Sequence, residues 1–102
     1  MASPVSRGAR VLQVTQVKRQ LCTIPNVGPA TAGDLIRLGI ERIEDLADED
    51  PEELYRRLVV MDGHPHDPCV RDVFAAAVAF ARDGVVKPWW HYTKLRKARE
   101  RA

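Results

Sequence analysis

Cysteines, aromatic side chains and long apolar runs are all scarce in this chain. Two cysteines, Cys22 and Cys69, are too few for a disulfide framework, so reduced thiols in an intracellular protein are expected. No apolar run approaches the roughly eighteen residues of a spanning helix, which argues against a membrane segment. The basic N-terminus MASPVSRGAR is not followed by a long apolar block with a small-residue cleavage site, so no secretory signal is read and a cytoplasmic location is expected. Convincing apolar-polar alternation is missing, as is any internal repeat, which removes strands from the reading. Net charge is small as well: 16 Lys and Arg against 14 Asp and Glu leave +2, too little for bulk electrostatics to carry the protein onto nucleic acid. Nor is there a catalytic constellation. Ser3 and Ser6 lie in a loose arm, the cysteines lack an evident base partner, and the carboxylates crowd a helix surface, so no enzymatic activity and no cofactor are expected.

What the chain does have, within 102 residues and room for one core, is segregated charge and dense punctuation. Arg7, Arg10, Lys18 and Arg19 make the first twenty residues basic. ERIEDLADEDPEE, residues 41–53, is acidic, and KLRKARERA at the end is basic again. Such a pattern can orient a molecule near a polyanion. Residues 1–10 read as a flexible arm, 11–92 as the folded domain and 93–102 as a basic tail that is either a phosphate-seeking arm or a solvated end. Val11, Val14, Val17 and Leu21 recur at helical spacing, with Gln13, Lys18 and Arg19 left for solvent. A second helix is predicted from Pro29, with Ala32, Leu35 and Ile36 buried and Gly39 as its stop. A short helix around Ile43, Leu46 and Ala47 follows. Asp50, Pro51 and Glu53 then start another, ahead of Leu54 and Leu58, and Asp67 and Pro68 start the most amphipathic one, which Gly84 ends. The expected fold is a compact all-α bundle of about five helices.

Pro25, Gly28 and Pro29 crowd the join between the first two helices, IPNVG, which reads as a helix-hairpin-helix candidate. The first amides of a helix have no intrahelical acceptor and sit at its positive end, so a phosphate could rest on the N–H groups of Val27, Gly28 and Ala30 without any base being read. Asn26, Thr31, Lys18 and Arg19 lie nearby in the chain and complete the candidate DNA-binding set. Proline disfavours helical geometry in the residue before it, which ends the first helix.

IPNVGPATAGDL resembles the helix-hairpin-helix of DNA-repair and recombination proteins, with Ile24, Pro25, Val27, Gly28, Ala32 and Leu35 matching and Asn26 replacing the usual glycine. Asparagine is the residue next most tolerant of positive φ, so the turn should survive, its amide either donating to a phosphate or crowding the approach. With GIERIEDLADEDPEELYRRL, DPCVRDVFAAAVAFA and KPWWHY, the pattern over about residues 12–92 resembles the small bacterial pathogenicity-locus family, whose members are often labelled mitomycin resistance proteins. The resemblance implies one helix-hairpin-helix in a SAM-domain-like bundle, DNA as partner, and repair or mitomycin tolerance as the setting. Where a second hairpin would fall, VVMDGHPHDPCV lacks the apolar-Gly pattern, so a monomer should bind weakly, and dimerisation, the basic tail or association with a protein partner would be needed for useful affinity.

Other features carry competing readings. His64, His66 and Cys69 are ligand types at compact spacing, with Cys22, Asp62, Asp67 or His91 as a fourth donor, but the spacing fits no strong zinc pattern, and the bland reading is two turn histidines and a small buried thiol. Trp89, Trp90 and Tyr92 either stack on bases or close the core, and the small size of the chain favours the core. The acidic run is read as a wet face. The alternative to DNA binding is a protein-interaction module on the same scaffold, and the third reading is a small metal-binding protein.

Overall fold

The helices begin and end where proline, glycine and short acids punctuate the chain. The computed structural model describes residues 7–101, and side chains from residue 14 onward, so residues 1–6 of the expected arm and the side chains of Val11 and Gln13 lie outside the described residues, while residues 7–10, also read as arm, belong to the first helix. Five α-helices, α1 (Arg7–Leu21), α2 (Pro29–Arg37), α3 (Pro51–Asp62), α4 (Cys69–Asp83) and α5 (Trp89–Arg101), and one 3₁₀ segment (Ile43–Asp48) follow one another, with no strand among the described residues. The expected all-α bundle is therefore found, with one more helix than the periodicity predicts. That extra helix takes in the stretch read as a basic tail.

Pro29 opens α2 and Gly39, at φ 93°, closes it: the Ile40 N–H returns to the Leu35 carbonyl at 3.0 Å, a left-handed stop that glycine makes without a Cβ penalty. Asp45 starts the 3₁₀ segment by accepting the N–H groups of Glu41 and Arg42, each at 3.0 Å. Asp50 starts α3 by accepting the Glu52 N–H at 3.1 Å. Glu53 does not fold back to complete a capping box; it takes the Arg56 Nε at 2.9 Å instead.

Leu21, Ile24, Leu35, Leu46, Leu58 and Phe74 are fully buried in a single core to which all segments up to α4 contribute. Each such side chain stabilises the fold by about 1.5–3 kcal/mol through removal from water. Val17 packs on the edge of this core, whereas Val14, expected on the same buried stripe, is 44% exposed and lines an open groove beside Ile36 and Ile40. α5 is held on α4 differently. The buried carboxylate of Asp72 on α4 accepts Arg96 Nε at 3.0 Å, Arg96 Nη2 at 3.2 Å and the Thr93 hydroxyl at 2.6 Å. The hydrogen bonds that Arg96 donates to Asp72 raise its pKa, so the charge stays on the guanidinium inside the contact. Trp89 and Tyr92, expected to close the core, are half-buried outside it, and Trp90 is 54% exposed. No helix among the described residues is long and apolar enough to cross a membrane.

Candidate functional site

The chain leaves α1 in tightened turns: the N–H groups of Thr23 and Ile24 donate to the carbonyls of Gln20 and Leu21, both at 3.1 Å. Ile24, Pro25, Asn26 and Val27 then form a β-turn closed by the Val27 N–H on the Ile24 carbonyl at 3.1 Å. Proline at the second position and φ 73° at Asn26 in the third fit a type II turn, which otherwise favours glycine there. Ile24 and Val27 point inward, 1% and 6% exposed, so the hairpin is anchored by the apolar residues that flank its turn.

Two expected phosphate contacts are corrected by this geometry. The Val27 amide is not free, because closing the turn consumes it. Neither is the Asn26 side chain: its Nδ2 donates to the Lys87 carbonyl at 2.8 Å, and its Oδ1 accepts the Trp89 N–H at 3.3 Å. An amide carries both a donor and an acceptor, so one side chain satisfies a carbonyl before α5 and an orphan amide in its first turn. Asn26 thus ties the hairpin to the start of the last helix.

The remaining donors are unspent. The N–H groups of Gly28, Ala30 and Thr31 have no hydrogen-bond partner among the described residues, and Pro29 has none to offer. No side chain caps α2 and no acid lies in its first turn. Gly28 is half-buried, Pro29 and Ala30 are exposed, and nothing lies within 4 Å of where a Gly28 Cβ would stand. At φ −96° and ψ −178° any residue could occupy that position, so the turn itself does not require glycine there. Glycine leaves the backbone bare.

Lys18 Nζ lies 4.0 Å from where a Gly33 Cβ would be, close over α2, and Arg19 is exposed one residue further along α1. Neither makes an ion pair among the described residues, in contrast to Arg37, Arg56, Arg57 and Arg96, which all pair with carboxylates. The Asn26 tie brings the backbone of Lys87 and Trp89 beside the same turn, and the Lys87 side chain is exposed there. Nothing local predicts that proximity, since 61 positions separate Asn26 from Lys87.

Of the candidate metal ligands, His64 and His66 come together with Asp62, their ligand atoms within 4.8 Å of one another, and Cys69 is not in the cluster. Cys69 is half-buried at the first residue of α4, as the bland reading had it. Its hydrogen bond to Asp67, reinforced by burial, pushes the thiol pKa up, away from thiolate chemistry.

Comparison with known proteins covers nearly all of this architecture. The family model described as "Pathogenicity locus" (Cdd1) matches residues 15–98, from α1 through most of α5. The chain belongs to this family. Within it, a relative from Streptomyces lavendulae named "Mitomycin resistance protein McrB" is 44% identical over 77 residues, which cover 76% of this chain and 73% of the relative. No solved structure matches the chain. The family match spans both ends of the Asn26 tie, so hairpin and α5 fall within one family unit.

Proposed function

We propose that this family member binds DNA without sequence preference by seating a backbone phosphate on the N-terminus of α2, in the setting of mitomycin resistance that the relative's name states, or in DNA repair. One observation carries the reading: Gly28 is glycine where the backbone conformation does not demand it, and the amides of Gly28, Ala30 and Thr31 have no partner among the described residues. Backbone donors at the positive end of a helix favour an anion about the size of a phosphate and ignore base identity. Thr31 adds a hydroxyl beside them, and Lys18, Arg19 and Lys87 supply unpaired cations around them.

With one such corner per chain, few phosphates are neutralised, so binding is weak and moderately salt-dependent unless a second copy or a partner adds contacts. The protein-interaction alternative draws support from a groove of about 710 Å³ lined by Val14, Val17, Ile36 and Ile40, where Val14 is 44% exposed.

Titration of a fluorescent duplex at two salt concentrations, with the native protein and with Gly28→Asp, separates the two. Aspartate fits the extended backbone and the empty space at residue 28, so the fold is retained while a carboxylate occupies the phosphate position. Affinity should fall about tenfold or more. Equal binding by both proteins would remove the α2 corner from the interface and favour the interaction module.

A further inference from the structure

We propose that Asp62, His64 and His66 form a surface site for a divalent first-row transition metal, zinc in the first instance, joining the C-terminus of α3 to the loop that enters α4. Two imidazoles and one carboxylate are ligand types that zinc takes, and their ligand atoms already lie within 4.8 Å of one another.

The cluster is positioned from several directions. Gly63, at φ 71°, turns the chain sharply after Asp62, which is the last residue of α3. Pro65 stiffens the link between the two histidines, whose rings stand 5.0 Å apart and tilted by 45°. The Tyr55 hydroxyl donates to the His66 carbonyl and so holds the loop against α3, and the Arg71 guanidinium packs over the Tyr55 ring at 4.7 Å.

The outer contacts are those that metal-binding side chains use. His64 Nδ1 lies 3.1 Å from the Pro65 carbonyl, an arrangement that places the proton on Nδ1 and leaves Nε2 as a bare lone pair with no partner among the described residues. His66 Nε2 and Asp62 Oδ2 are 2.6 Å apart, and the other Asp62 oxygen accepts from Arg37. A metal entering between His66 and Asp62 takes over the link their hydrogen bond now makes, while Arg37 continues to orient the carboxylate. Ligand atoms around tetrahedral zinc stand about 3.3 Å from one another at its usual bond lengths of about 2.0–2.1 Å. The His66–Asp62 pair must therefore open slightly and His64 swing inward, and the exposed His64 ring has room to do so. A fourth position stays open to water or to a ligand from another molecule.

The site is independent of DNA binding, because it uses none of the α2 amides. It also gives His64 a role, since among the described residues that ring's only hydrogen bond is to its own neighbour.

The test is calorimetric titration of zinc into the full-length protein, prepared without a polyhistidine tag, with cobalt(II) absorption as a second readout of tetrahedral coordination. The native protein should bind one zinc, and His64→Ala and Asp62→Asn should each weaken it by at least about tenfold. Cys69→Ala should bind as the native protein does. His64→Ala alters an exposed ring, so the fold persists and its loss of binding reads the site directly. No zinc binding by the native protein, or undiminished binding by His64→Ala, overturns the proposal, as does loss of binding in Cys69→Ala.

Discussion

α2 and α3 both start with a proline at the first helical position, yet their N-termini have opposite chemistry. At α3, Asp50 accepts the Glu52 N–H and two glutamates, Glu52 and Glu53, occupy the first turn, so the positive end is covered by the protein's own carboxylates. At α2 the corresponding residue is Gly28, there is no side-chain cap, and the first turn holds no acid. The 3₁₀ segment that precedes α3 is likewise covered, by Asp45, which accepts the N–H groups of Glu41 and Arg42. One helix end therefore stays uncovered while its neighbours satisfy themselves, and proline alone does not tell the two kinds of start apart.

The largest effect on this contrast is expected from behind. Arg96→Ala leaves the Asp72 carboxylate buried without its guanidinium, which should cost about 3–5 kcal/mol in urea denaturation. It should also loosen the α5 start that Asn26 grips, so DNA binding should weaken with no direct contact removed.

Asn26→Val acts on the corner itself, forcing a β-branched residue to φ 73° and deleting two hydrogen bonds, for a loss of about 3 kcal/mol. Asn26→Gly restores the conformation without the tie and should lose about half as much. Equal losses from the two variants would mean that backbone strain contributes nothing there.

Gly28→Asp makes α2 resemble α3. Thermal melting should show a gain of a few tenths of a kcal/mol while DNA affinity falls about tenfold. The converse change, Asp50→Ala, should cost about 1 kcal/mol and create no DNA site, because Glu52 and Glu53 remain.

Acid gives the smallest and most local effect. The backbone N–H of Glu41 chiefly holds the Asp45 pKa below its ordinary value of 3.8, and the Arg56 hydrogen bond holds Glu53 below 4.5. Depressed carboxylates contribute stability that is present above those ordinary values and is lost as pH falls through the folded ones. Amide exchange should therefore rise in the 3₁₀ segment below about pH 4, while the start of α2, with no carboxylate to protonate, shows no such step.

The helix starts at Pro29 and Pro51, the stop at Gly39 and the left-handed tolerance of Asn26 were legible because each depends on local backbone chemistry. α5 was not. WWHYTKLRKARER has no apolar stripe, and its docking draws on a buried ion pair whose carboxylate lies 24 positions earlier, on Thr93 beside it and on the Asn26 tie. Lys and Arg runs look solvated in sequence, so nothing marked Arg96 as the buried one among them. The hairpin was readable as a turn, but which of its donors were spent was not, since the partners of Asn26 come from the far end of the chain. Likewise His64 and His66 were visible as ligand types, while the choice of Asp62 over Cys69 depended on the turn at Gly63.

The Asn26 amide also makes one distant proton an observer of the hairpin. Trp89 N–H is held from 63 positions away, so its exchange with deuterium can proceed only when the corner lets go. A single resonance in the last helix should then clock the opening of the first turn, and a bound polyanion that steadies the turn should slow that clock.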